Sequence, residues 1–105
     1  AVLELRGVSG GTVRLMPDYV RRAVDRASQD VIEYQAIQHS PDLLEVRLLL
    51  APGADRPGIE AEVLRNLATW CRRAGGAVPR VDFTGHPPER NPRSGKLIRV
   101  RREFA

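Results

Sequence analysis

Val31-Ile32-Glu33-Tyr34-Gln35-Ala36-Ile37-Gln38, then His39-Ser40-Pro41-Asp42, then Leu43-Leu44-Glu45-Val46-Arg47-Leu48-Leu49-Leu50 is the stretch from which the architecture can be read. The first run is rich in β-branched and aromatic residues, and the middle four residues are turn formers. In the last run Leu44, Val46, Leu48 and Leu50 share one side of an extended chain, while Leu43, Glu45, Arg47 and Leu49 share the other. The stretch therefore predicts two antiparallel strands with one face on a core.

Upstream, Pro17 opens a pattern in which Val20, Ala23, Val24 and Ala27 recur opposite Arg21, Arg22, Asp25 and Arg26. That spacing predicts a helix from Pro17 to about Ser28, with Asp18 in its positively polarised first turn. Before it, residues 2–6 and 12–15 alternate around Ser9-Gly10-Gly11, which predicts a small hairpin within residues 1–15. Downstream, residues 51–55 read as loop. Ile59, Val63, Leu67, Trp70 and Cys71 then form one stripe of a helix that begins at Arg56 or Pro57 and ends at Gly75-Gly76. Glu60 and Glu62 in its first turns, with Arg72 and Arg73 in its last, suit the helix dipole. Residues 78–83 predict a strand, residues 84–95 a polar loop with three prolines, and residues 97–100 a closing extended segment. The order predicts an α+β fold: a ferredoxin-like β-α-β-β-α-β arrangement, both helices on one face of an antiparallel sheet, with the hairpin in front.

At 105 residues this is one domain, residues 1–105. Area scaling for 11.7 kDa gives roughly 5,900 Å² folded against about 17,000 Å² extended, enough for one modest core. A deep cavity enclosed by this chain alone is not expected, because ligand pockets favour domain interfaces. Net charge is +4 with an isoelectric point near 10.2, which favours anionic partners. From Arg90 to Arg102 stand six basic residues and no acid, a concentration that also fits a solvated basic edge. Cys71 is the only cysteine, so no intrachain disulfide forms; a reducing, cytoplasmic setting is expected, with Cys71 as core packing. No membrane span or signal peptide is legible, and no membrane partner is expected. The chain opens without methionine into Val2-Leu3-Glu4-Leu5-Arg6, which is expected of a piece of something longer.

Asn91-Pro92-Arg93-Ser94-Gly95-Lys96-Leu97-Ile98-Arg99-Val100 contains the only lysine of the chain; the other sixteen basic residues are arginines. A lysine is a compact point charge on a flexible stem, and one placed straight after a glycine can be swung onto an anion. By itself a Gly–Lys pair specifies no more than a turn followed by a solvated residue. Other chemistries lack their parts. His39 and His86 are far apart and no Cys-X-X-Cys occurs, so no metal site is expected. A phosphate-binding Walker loop would need glycine where Arg90 stands and Ser or Thr where Leu97 stands. Ser9, Ser28, Ser40 and Ser94 have no patterned histidine partner for nucleophilic catalysis. RNA-recognition modules share the ferredoxin-like order but stack bases on exposed strand aromatics, and here the strands offer Tyr34 and Phe83 only.

Three stretches in order resemble one family. Val2-Leu3-Glu4-Leu5-Arg6-Gly7 is similar to the segment after the hinge of adenylate-forming enzymes, in the C-terminal subdomain of the phenylacetate–coenzyme A ligase type. Glu33-Tyr34-Gln35-Ala36-Ile37-Gln38 resembles that family's Tyr/Phe-Gln strand, and Arg93-Ser94-Gly95-Lys96-Leu97-Ile98-Arg99-Val100 its closing Ser-Gly-Lys-Leu motif. The similarity spans essentially the whole chain. One departure stands out: Ala1 occupies the place of the hinge aspartate.

The resemblance implies a mobile lid on a large N-terminal adenylation domain in an AMP-forming acid–CoA ligase. A small-molecule carboxylate and ATP would give an acyl-adenylate, and coenzyme A, as co-substrate, would then take the acyl group. ATP and Mg²⁺ would be bound mainly by the large domain, so the chain alone is expected to be inactive. The match makes Lys96 the adenylation lysine, on a loop spanning 84–96, with Ser94 and Gly95 beside it. It makes the turn of Gly7, Gly10 and Gly11, in the hinge-proximal hairpin 1–15, the segment that lines the thiol path. Arg93 and Arg99, with Arg90, carry charge suited to the phosphates of the nucleotide or coenzyme. The alternative readings are a ferredoxin-like module that binds RNA or a small ligand, and a non-catalytic relative.

Overall fold

The computed structural model describes residues 2–104, and Ala1, where the hinge acid was sought, lies outside them. The elements are β1 (Leu3–Arg6), β2 (Thr12–Leu15), α1 (Pro17–Asp25), β3 (Val31–Ser40), β4 (Leu43–Leu50), α2 (Arg56–Arg73), β5 (Arg80–Phe83) and β6 (Val100–Arg102). The chain is α+β, as expected. β3 and β4 pair antiparallel, Tyr34 opposite Leu48 and Ala36 opposite Val46, so the side carrying Leu44, Val46 and Leu48 enters the core as its alternation required. The expected turn at 39–42 is shorter: His39 and Ser40 continue β3.

The main sheet is mixed, not antiparallel as the sequence order led us to expect. Its order is β5-β4-β3-β6, with β5 parallel to β4 and β6 parallel to β3. The strand ahead of α1, which should have opened the β-α-β-β-α-β pattern, is β2, and it pairs with β1 in a separate two-stranded sheet. β6 occupies the outer edge of β3 and leaves β2 no edge there. The hairpin buries apolar side chains instead: Leu3, Leu5 and Leu15 join the core formed by Val20, Ala23 and Val24 of α1, Val63 and Leu67 of α2, and the inner face of the sheet. Helices and hairpin thus cover one face of β3 and β4.

Two helix details differ from expectation. α1 stops at Asp25, and α2 has no acidic residue in its first turn; Asp55 caps it instead, accepting from the Gly58 N–H at 3.2 Å. A side-chain acceptor at that position satisfies one of the free N–H groups of the first turn. Cys71 is buried in the core, and burial pushes its thiol up to about 11, where it is inert at neutral pH. The last strand begins at Val100 rather than Leu97. Val100 is the buried residue opposite Ala36, whereas Ile98 is exposed, so the loop runs on to Arg99.

Candidate functional site

Lys96 is exposed and sits in a loop built around Asn91. The Asn91 side-chain oxygen accepts from the Arg93 N–H at 2.8 Å and the Ser94 N–H at 3.3 Å, and the Asn91 carbonyl accepts from the Gly95 N–H at 2.8 Å. The Asn91 N–H donates to the Lys96 carbonyl at 2.8 Å, closing the ring of contacts. Gly95 reverses the chain at φ 70°, a conformation that costs other residues about 1–2 kcal/mol. The Ser94 hydroxyl receives the Lys96 N–H at 3.3 Å, and Arg90 caps the Gly95 carbonyl at 3.2 Å. Lys96 enters these bonds only through its backbone N–H and carbonyl, and its exposed ammonium is left to solvent.

The loop is fastened beneath by Gln35, a fully buried residue of β3. Its amide nitrogen donates to the carbonyls of Glu89 at 3.3 Å and Ile98 at 3.0 Å, while its oxygen accepts from the Glu89 N–H at 3.1 Å. One side chain thus joins both ends of the lysine loop to the sheet. Gln35, Arg90, Asn91, Pro92, Ile98 and Arg101 line a small cavity of about 120 Å³ under it.

Three residues further along the same strand, Gln38 performs the same service for the hairpin. It is also fully buried; its nitrogen donates to the Glu4 carbonyl at 2.7 Å and its oxygen accepts from the Glu4 N–H at 3.0 Å. Side chains alternate along a strand, so positions 35 and 38 face opposite ways. The lysine loop therefore lies on one face of β3, and the hairpin with the helices on the other. At the tip of the hairpin the Gly7 N–H donates to the Gly11 carbonyl at 2.9 Å, and the Val8 N–H to the Gly75 carbonyl at 3.0 Å. A Cβ on Gly7 would collide with the Gly10 carbonyl oxygen, so the turn requires glycine there. Gly10 and Gly11 both have positive φ.

The residues singled out in the sequence thus fall into two groups. Ser94, Gly95, Lys96 and Arg93 share the loop; Gly7, Gly10 and Gly11 share the hairpin tip. Among the described residues no hydrogen bond or ion pair joins the two. Arg99 is not free toward an anion: Glu33 holds its guanidinium by two bonds of 2.9 and 3.1 Å. Arg93 has no ion-pair partner among the described residues. Sequence reasoning missed Gln35 and Gln38 as positioning residues. Their signal was two amides set among Tyr34, Ala36 and Ile37 in mid-strand, since a buried amide must find partners.

The start of the loop is anchored by a third buried polar group, Glu45 of β4. Burial by itself would raise its carboxyl, but hydrogen bonds from Arg47 at 2.7 Å, Thr84 at 2.7 Å and His39 at 2.8 Å outweigh that and hold it down to about 2. A carboxyl lower in the folded than in the unfolded chain stabilises the fold at pH above its ordinary 4.5, and that stability is lost as pH falls toward 2. The difference corresponds to a loss on the order of 3 kcal/mol over that window. Urea unfolding of the parent between pH 5 and pH 2 should register it, and Glu45→Gln should flatten that limb of the profile. An unchanged profile in the variant would assign the acid sensitivity elsewhere.

Tyr34 and Phe83, which an RNA-binding sheet would have to expose, are turned to the core; Tyr34 is buried and its hydroxyl is pushed up to about 12 chiefly by desolvation. No group of three or more His, Cys, Asp or Glu side chains gathers among the described residues, and no helix there is long and apolar enough to cross a membrane. Compared with known proteins, the chain matches no family model, and no curated protein matches it significantly.

Proposed function

We propose that this chain is the mobile lid of an ATP-dependent acyl- or aryl-CoA ligase, with Lys96 serving the adenylation step and the Gly7–Gly11 turn the thioester step. The observation that carries the reading is that the lysine loop and the glycine-tipped hairpin are fastened on opposite faces of one strand, the loop by buried Gln35 and the hairpin, at Glu4, by buried Gln38. A two-step reaction run by a rotating lid needs such an arrangement: a rigid body that offers one loop, then the other, to the same nucleotide. Lys96 has the chemistry for the first step, because a preorganised cation aimed at developing charge lowers the barrier. The large adenylation domain is the partner in this reading, and it holds ATP, Mg²⁺ and the carboxylate. The run α1, β3, β4, α2, β5 keeps the helix–strand–strand–helix–strand portion of a ferredoxin-like order, and a lone buried thiol fits a cytoplasmic setting.

The test is made on the full-length protein. Given ATP, CoA and a panel of aliphatic and aromatic carboxylates, it should release pyrophosphate and AMP and form a thioester with at least one acid. The 105-residue chain alone should do neither. Carboxylate-independent ATP cleavage by the isolated chain, or no pyrophosphate release by the full-length protein, would count against the proposal.

A further inference from the structure

On the helix side, away from the lysine loop, Tyr19 of α1 and Trp70 of α2 lie against each other with ring centroids 4.7 Å apart. Both are partly exposed, and guanidinium groups stand over them: Arg73 is 5.2 Å from the Trp70 ring centre and Arg22 is 5.9 Å from that of Tyr19. Two adjoining concavities meet at Trp70 and Arg73. One, about 130 Å³, is walled by Arg14, Leu15, Tyr19 and Ala74. The other, about 220 Å³, is walled by Arg22, Arg26, Glu62, Asn66 and Thr69.

Arg14, Arg22, Arg26 and Arg73 are all exposed, and none has an ion-pair partner among the described residues. The one carboxylate in the second concavity, Glu62, is taken by Arg65 at 3.1 Å. Four like charges gathered round a ring pair, with the one carboxylate beside them already paired to Arg65, form a surface that an anion would relieve. Guanidinium forks match phosphate oxygens, and aromatic faces accept a base.

We propose that this surface binds a free nucleoside polyphosphate, its base in the concavity beside Tyr19 and Trp70 and its phosphates among Arg22, Arg26 and Arg73. Trp70 and Arg73 line both hollows; the first adds Tyr19 and Leu15 with Arg14, and the second adds Arg22, Arg26 and the polar side chains Asn66, Thr69 and Glu62. A single nucleotide is favoured over a strand of nucleic acid because a strand needs successive stacking platforms. This side has one ring pair; Tyr34 and Phe83 face the core, and Phe104 lies under Arg102. The inference stands apart from the ligase reading, since it uses no residue of the lysine loop.

Trp70 is the only tryptophan and lines both hollows, so its fluorescence reports on this surface alone. ATP should change it saturably in the 105-residue chain. Arg22→Ser combined with Arg26→Ser, at exposed positions, should weaken binding by about tenfold or more with an unchanged melting curve. Lys96→Ala should bind as the parent does. The proposal is overturned by no saturable change, by pyrophosphate binding as tightly as ATP, or by an oligothymidylate binding more tightly than ATP. Equal weakening in Lys96→Ala would likewise overturn it, by moving the site to the loop.

Discussion

Lys96→Ala in the full-length protein is expected to slow carboxylate adenylation by about 10²–10³-fold, the usual cost of removing one preorganised donor from a developing oxyanion. The fold gives this substitution unusual clarity. Lys96 contributes to the loop's shape only through its backbone: its carbonyl receives the Asn91 N–H, and its N–H meets the Ser94 hydroxyl. Alanine keeps both, so the loop should hold its shape while the charge is gone. Thioester formation from a supplied acyl-adenylate should persist at close to the parent rate, because that step is assigned to the hairpin on the other face. Pyrophosphate exchange and thioester release, measured separately, distinguish the outcomes; equal loss of both half-reactions would sink the role given to Lys96. Lys96→Arg should rescue adenylation only in part, since a planar fork does not deliver charge to the place a flexible ammonium reaches.

Gln35→Leu is expected to cost at least about 3 kcal/mol of stability, taking about 1–3 kcal/mol for each backbone group left without its partner. The side chain is fully buried and serves two carbonyls and one N–H, so an apolar residue of similar size strands all three unless the loop lifts into water. A lifted loop carries Lys96 with it, and a displacement of about 1 Å can cost roughly 10²-fold in rate. Adenylation should therefore fall although Lys96 is intact. Gln38→Leu is the counterpart: it frees Glu4 and the hairpin, so the thioester step should fall instead. Amide hydrogen exchange should rise over residues 89–98 in the first variant and over 4–15 in the second. Uniform exchange increases in both, or the same half-reaction lost in both, would show that the two glutamines merely stabilise the fold.

The central strand pair and the long second helix were legible because their patterns are local. Alternation in 43–50 and a 3.6-residue stripe from Ile59 to Cys71 each state which side must be buried; Leu44, Val46, Leu48, Ile59, Val63, Leu67 and Cys71 are buried, and Leu50 and Trp70 are partly so. Sheet order was not legible, because edge choice is a competition between distant segments. Nothing in Thr12–Leu15 tells that β6 will take the outer edge of β3. Residues 97–100 misled for a related reason: Leu97, Ile98 and Val100 are all apolar, but only Val100 reaches the core opposite Ala36.

For the candidate site, local chemistry marked out the glycines, Ser94 and Lys96, since a reversal at Gly95 and a lone ammonium after it follow from residue type. The sequence alone determined that a charge would stand at the end of a tight loop, and that a glycine turn would tip a hairpin near the start. Only the tertiary structure decided that both hang from one strand on opposite faces, that Glu33 occupies Arg99, and that Gln35 and Gln38 are the fasteners. Those facts depend on hydrogen bonds between residues 34 to 66 positions apart. A buried amide must be paired, but which backbone pairs it is settled only when the chain has closed on itself.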